Sequence, residues 1–396
     1  MIKIFVPVSS VSVAMAGHFC VNLYKRGLDV MLISEYVSMI VPPDKEAMEA
    51  AVARLDGLAK PPGSLGELEY IAVKLAGISG RLCYDTAKRC VVIMSSDNGV
   101  VEEGVASAPQ SVTHMQTLSF ARGIAGVSVL AKQFAADLIV VDVGINADIG
   151  QQYPMIRDSK IRKSTYNIAK GPAMTYDEAE LAITIGLKTA VDAANDGYKL
   201  IGVGEMGIGN TTTSAAVLCA LTGIPIESAA GKGAGLDDAA YGRKLEVIRE
   251  ALEINRPDPA DIIDVLAKVG GFDIAAMVGV FIGGAAKRVP VVVDGFISTV
   301  AALAASRINP LVKEYMLASH SSNEHGAPHA SLALGLTPCL RLGMRLGEGS
   351  GCPLMFAIID AACAVMRDMG TFEQVGIGEE YVEKVRKDED FHIRRL

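Results

Sequence analysis

Five times in the middle of this chain a short β-branched run ends in a polar, glycine-bearing turn, and a helical stretch follows. Cys90–Met94 leads into Ser95-Ser96-Asp97-Asn98-Gly99, and Leu138–Val141 into Asp142-Val143-Gly144-Ile145-Asn146. Leu200–Val203 leads into Gly204-Glu205-Met206-Gly207-Ile208-Gly209-Asn210-Thr211-Thr212. Val289–Val293 leads into Asp294-Gly295-Phe296, and Tyr315–Ala318 into Ser319-His320-Ser321-Ser322. Alternating strands and helices joined by right-handed crossovers make an α/β fold with a Rossmann-like, doubly wound, mostly parallel sheet. Such sheets bind ligands outside the carboxyl ends of their strands. Turn chemistry alone also uses Gly, Asn and Asp. It does not explain why the polar cluster falls on the same side of every strand.

Composition narrows the class. Half of the 396 residues are hydrophobic, mostly small aliphatics, and Trp is absent. That suits buried parallel strands covered on both faces. No stretch reaches the roughly 18 consecutive apolar residues of a membrane helix. A net charge of −8 argues against nucleic acid as a partner. It leaves room for one small phosphorylated ligand. The seven cysteines, with no C-x-x-C pair, read as reduced thiols of a cytoplasmic protein. Residues Met1 to Gly17 faintly resemble a secretory signal, but Pro7, Ser9, Ser10 and Ser12 interrupt the apolar run. Strand Lys3–Val8, helix Val11–Arg26 and strand Asp29–Ile33 fit better.

Outside the middle, the pattern is helical. Asp44–Leu58 and Glu67–Ile78 are expected as helices, with Ser64 as N-cap and Glu67 completing a capping box. Ala330–Leu346 and Leu354–Met369 are expected to follow the last strand, and the tail from Glu379 is charged.

Three motifs carry chemistry. In Gly204–Thr212, Gly207 and Gly209 allow close backbone approach, and Asn210 and the threonines add donors where a helix starts. It is neither a Walker A loop nor a dinucleotide fingerprint, and spacing leaves plain helix capping open. Gly231-Lys232-Gly233-Ala234-Gly235, followed by Arg243-Lys244, is a phosphate cradle or a solvated loop. Glu348, between two glycines, could work as a general base with a raised pKa or could cap a helix terminus. His320, His325 and His329 have metal-like spacing, but Pro328 breaks the helix they would share, and hydrogen bonding in a turn is the reading preferred.

Taken together, these stretches resemble the nicotinate-nucleotide:dimethylbenzimidazole phosphoribosyltransferase family. The resemblance runs from about residue 41 to about 378. It rests on Lys60-Pro-Pro-Gly-Ser-Leu-Gly, Asp142-Val-Gly-Ile, Gly202-Val-Gly-Glu-Met-Gly-Ile-Gly-Asn-Thr-Thr, Lys268-Val-Gly-Gly-Phe-Asp, Val293-Asp-Gly-Phe, Ser319-His and Arg345-Leu-Gly-Glu-Gly-Ser-Gly. It implies a large Rossmann-like catalytic domain at 86–346, a small helical domain from 41–85 plus 347–396, and an extension at 1–40. It also implies a homodimer.

The implied reaction moves ribose 5-phosphate from nicotinate mononucleotide to an aromatic base, with inversion at C1′, in cobamide assembly. No metal or cofactor is needed. The resemblance assigns the proton-accepting base to Glu348 and places Glu205 beside ribose or nicotinate. It puts Gly207, Asn210, Thr211, Gly233, Lys244, Asp294, Gly295 and Ser322 around ribose and phosphate. It puts Gln116, Ala108, Asn98 and Leu346 around the base. Asn98 stands where the family usually has His, and Ala108 where it often has Ser, so base choice is open. A related branch transfers to phenol or p-cresol as a heterodimer of paralogous subunits. That branch and a non-catalytic partner subunit are the alternatives, although both glutamates are present.

Overall fold

The computed structural model describes residues 32–150 and 152–378. The strands are β1 (Arg89–Ser96), β2 (Asp137–Gly144), β3 (Ile156–Asp158), β4 (Leu200–Met206), β5 (Val291–Val293) and β6 (Met316–Ala318). They form one sheet in the order β3-β2-β1-β4-β5-β6, and every pairing is parallel. The order reverses between β1 and β4, which opens a crevice at their carboxyl ends. β3, three residues on the edge, is not foreshadowed by the hydrophobic runs.

The helices are α1 (Ile33–Ser38), α2 (Lys45–Asp56), α3 (Glu67–Ser79), α4 (Ser111–Ala121), α5 (Gly126–Gln133), α6 (Tyr176–Asn195) and α7 (Asn210–Thr222). α8 (Ile226–Ala229), α9 (Asp238–Asn255), α10 (Ile262–Val269), α11 (Phe272–Ala286), α12 (Phe296–Ile308), α13 (Ala327–Leu334) and α14 (Gly351–Asp368) follow.

Side chains on a strand alternate between faces, and the two cores follow that alternation. Val92, Met94, Val141, Ile201 and Val293 point to the core shared with α6, α7, α11 and α12. Val91, Ile93, Val140, Val292 and Leu317 point to the core shared with α2, α3 and α14. Segments from both ends of the described chain therefore cover the second face together. α11 is buried along its whole length. It lies so close to α6 that a Cβ at Gly186 would fall 1.7 Å from the Ala276 carbonyl oxygen, and one at Gly279 would fall 1.9 Å from that of Ile183.

Two local expectations are corrected. Ser64 does not cap α3; Gly66, in the left-handed region, precedes it with no side-chain cap. The left-handed Gly63 and Gly66 carry the turn past Ser64. Glu69 turns inward instead, accepting from the Leu65 amide at 2.9 Å and pairing with the buried Lys60 ammonium at 2.8 Å. The helix expected over Ala330–Leu346 stops at Leu334, where left-handed Gly335 caps it and Pro338 lies three residues on. The following segment runs along β6, with a parallel bridge between His320 and Leu340. The elements expected at Lys3–Val8 and Val11–Arg26, most of Asp29–Ile33, and the tail from Glu379 lie outside the described residues; Ile33 itself opens α1.

Candidate active site

Above the carboxyl ends of β4 and β5 lies a cavity of about 360 Å³. β4 and β5 each deliver a short polar turn to it. β4 contributes Glu205, and α7 starts just beyond with Asn210 and Thr211; β5 contributes Asp294 and Gly295. The chain after β6 adds Ser322, the loop before α9 adds Gly233, α9 adds Lys244, and the turn before α14 adds Glu348. Gln116 from α4, with Ala108 and Leu346, completes the wall. Thus the sequence-expected residues converge on one cavity, with one exception.

The exception is Asn98. It is fully buried, behind Gly207 rather than on the wall: a Cβ at Gly207 would lie 2.9 Å from the Asn98 amide nitrogen. Gly99 explains the turn inward, since a Cβ there would lie 2.5 Å from the Thr165 carbonyl oxygen. Among the described residues neither Asn98 amide atom has a hydrogen-bond partner.

At one end of the cavity the Lys244 ammonium is fully buried. It donates to Thr211 Oγ1 at 2.9 Å and to the Gly231 carbonyl at 3.0 Å. Burial pulls its pKa down to about 8, against an opposing pull from Glu324. Gly233, left-handed, lies close by, its Cβ position 3.9 Å from Lys244 Nζ. A buried cation beside a glycine loop and a helix start can hold a phosphate group.

At the other end Glu348 Oε1 accepts from Gln116 Nε2 at 2.5 Å, and Oε2 accepts from the Val127 amide at 3.3 Å. Burial raises its pKa, and these two bonds oppose the rise. Leu346, Val105, Val112 and Ala108 supply apolar wall around it. A carboxylate with a raised pKa, facing an apolar slot, suits proton abstraction from a flat ring.

Between the two ends sits Glu205. Its Oε2 accepts from the Asn210 side-chain amide, which also donates to Asp273 Oδ2 at 3.0 Å. Burial, reinforced by the Asp273 charge, raises the Glu205 pKa to about 8. Burial likewise raises Asp273 to about 6 and Asp294 to about 7. His320 lies 3.7 Å from Asp294. Its nearest hydroxyl partner is Ser319 Oγ at 3.1 Å, and burial lowers its pKa. His325 and His329 do not join it in a cluster of metal-ligating groups among the described residues.

Three residues of the site were not singled out from the sequence. Asp273 backs the wall through Asn210, while Glu324 and Arg345 line the cavity. Asp273 had a signal: it is the lone acid in the otherwise apolar α11. Arg345 had one as well, opening the Arg345-Leu-Gly-Glu-Gly-Ser-Gly stretch, whereas Glu324 has none, because it sits in an irregular segment that only the tertiary fold brings beside Lys244.

A Rossmann-like sheet whose cavity joins a buried lysine in a glycine cradle to an apolar slot with a basic carboxylate defines an enzyme for small phosphorylated substrates. A phosphoribosyltransferase family model, DBI_PRT, matches residues 40–377, and the chain belongs to that family. A nicotinate-nucleotide–dimethylbenzimidazole phosphoribosyltransferase from Clostridium perfringens is 51% identical over 362 residues, covering 91% of this chain and 99% of its own. One of that name from Geobacter sulfurreducens is 45% identical, covering 88% and 99%. The crystal structure of CobT from Thermus thermophilus superposes with a TM-score of 0.81 at 38% identity, covering 84% of this chain and 99% of that one.

Proposed function

We propose that this protein transfers the ribose 5-phosphate group of nicotinate mononucleotide to 5,6-dimethylbenzimidazole or a similar base, releasing nicotinate and an α-ribotide for the lower ligand of cobamides. The observation that carries this reading is the pairing, in one cavity, of the Lys244 cradle with the Glu348–Gln116 slot. The names of the relatives support it. Nothing in them favours the phenolic branch or a non-catalytic subunit.

In this reading the phosphate sits against Lys244, Thr211, Ser322 and the glycine amides at 207, 233 and 295. That anchors C1′ below the slot. The base lies along Ala108, Gln116 and Leu346, and one ring nitrogen attacks C1′. The bond from C1′ to the nicotinate nitrogen breaks from the opposite face, and its electron pair returns to the pyridinium ring. The leaving group is therefore neutralised without an acid. Glu348 takes the proton from the second ring nitrogen. Asn210 and Glu205 orient the ribose or the nicotinate from the floor. The protein's work is positioning, charge stabilisation and one proton transfer, so no metal or other cofactor enters.

We assign the enzyme to the cytoplasm, a setting that suits the free thiols of Cys83, Cys90, Cys219, Cys339, Cys352 and Cys363. Among the described residues no helix is long and apolar enough to cross a membrane. A second copy of the chain is the proposed partner, supported by exposed apolar side chains near the slot. Leu346 is 59% and Ile124 66% exposed, and Leu346 packs beside Gly126. Light scattering then reads twice the chain mass of 41.6 kDa.

The test of the reaction is incubation with nicotinate mononucleotide and, in parallel, 5,6-dimethylbenzimidazole or p-cresol. The expected product is the benzimidazole ribotide. Transfer to p-cresol alone overturns the proposed acceptor, and no ribotide with either overturns the reading.

A further inference from the structure

Gly347, Glu348 and Gly349 are consecutive left-handed residues, with φ of 79°, 65° and 82°. Only glycine enters that region freely, so Glu348 needs an external hold. Two buried carboxylates from neighbouring strands supply it. Glu205 Oε1 accepts from the Glu348 amide at 3.3 Å. Asp294 Oδ2 accepts from the Gly349 amide at 3.1 Å, and its Oδ1 from the Gly351 amide at 2.7 Å. Successive amides turned to one side make an anion-binding concavity. Here the protein's own acids fill it.

The packing leaves the turn no other seat. A Cβ at Gly204 of β4 would lie 2.4 Å from the Glu348 carbonyl oxygen, and one at Gly351 would lie 2.2 Å from His320 Nδ1. Asp294 is itself fixed, because Ser319 Oγ donates to its backbone carbonyl at 3.1 Å. Both of its carboxylate oxygens are thus committed to amides of the turn, although the residue also borders the cavity.

We infer that Asp294 is a positioning residue, whose carboxylate spans the Gly349 and Gly351 amides and holds Glu348 in the conformation that aims its side chain at Gln116 and the base slot. This rests on the reading of Glu348 as the base. The hold is strongest with Asp294 ionised. The titratable groups facing it are Glu205 on β4, Glu348 on the turn, His320 after β6 and Cys352 on α14. With its pKa near 7, the hold weakens as pH falls through that value.

The experiment compares Asp294→Asn with Glu348→Gln in the full chain. Three quantities are read for each: kcat, the dissociation constant of nicotinate mononucleotide, and hydrogen exchange of the peptide spanning 345–353. For Asp294→Asn, kcat at pH 8 falls about 100-fold, as a small misplacement of a reacting group does. Donor affinity stays within about threefold, and exchange rises in that peptide rather than throughout the chain. Unchanged kcat overturns the inference. So does a loss confined to donor affinity, which would make Asp294 a ligand-holding group instead. Should Asp294→Asn not fold, the wild type decides. Exchange of 345–353, normalised to intrinsic rates, is greater at pH 6 than at pH 8, and equal protection overturns the hold. Glu348→Gln loses turnover without faster exchange. If it retains turnover, the assignment of the base fails while the exchange data still judge Asp294.

Discussion

Lys244 shows how one buried side chain sets a measurable property of the whole reaction. Among the described residues its ammonium bonds to a hydroxyl and a carbonyl and to no carboxylate, and desolvation holds its pKa near 8. A phosphate dianion placed beside it restores the charged form and raises that pKa. Donor binding is therefore expected to take up protons at pH 8 to 9. Calorimetry in buffers of different ionisation enthalpy reads this, and Lys244→Met should abolish the uptake while weakening binding about 10- to 100-fold, the loss of one or two charge-assisted bonds. Glu348 has the opposite dependence. Its carboxylate must be ionised to accept a proton, and burial moves that ionisation above the ordinary glutamate range. The rate should rise with pH through that shifted value. Glu348→Gln should lower turnover by about 10² to 10⁴, the usual worth of a general base, while calorimetry finds donor binding intact.

At the scale of elements, the site depends on helices that lie behind the cavity wall. α11 delivers Asp273 to the back of the wall through its first turn, and its place is set by glycine contacts with α6. The run Phe272–Ala286 reads as apolar on all sides, and the structure buries it entirely. Gly279→Ala should cost about 3 kcal/mol or more, because the added methyl meets backbone of α6 at 1.9 Å rather than a movable side chain. Its thermal midpoint should drop without a change in the pH profile of the remaining activity. A midpoint equal to wild type would show that α6 and α11 can separate at little cost. The turn bearing Glu348 teaches the converse. The sequence showed a glutamate between glycines and left base and cap equally open. The left-handed backbone and the two carboxylates that hold it appear only when β4, β5 and α14 meet.

For the whole molecule, the carboxylates gathered at the strand ends make stability depend on pH. Glu205, Asp294 and Asp273 titrate near 8, 7 and 6 in the fold, against about 4 in an unfolded chain. Between those values the folded state binds more protons than the unfolded one, so each group makes stability fall as pH rises. The ligand-free enzyme should melt higher at pH 6 than at pH 8. Glu205→Gln, which removes the group with the highest value, should flatten that slope, and an unaltered slope would assign it elsewhere. Saturating donor should raise the midpoint at either pH, since ligand at about 100 times its dissociation constant adds about 2.7 kcal/mol.

The sequence by itself determined the layering, the sheet and the address of the site. Short β-branched runs buried on both faces and ending in glycine-bearing turns are local properties, written in neighbouring residues. Motifs such as Gly204–Thr212 carry their own geometry, so Glu205, Lys244 and Glu348 were legible as candidates. Tertiary structure alone decided which of them meet. It turned Asn98 away from the cavity because Gly99 packs on distant backbone, and it brought Glu324 beside Lys244. It also set two carboxylates under the Glu348 turn. Each of these outcomes depends on contacts between residues tens to hundreds of positions apart, and on desolvation at the place where they meet. Neither quantity exists until the chain has closed.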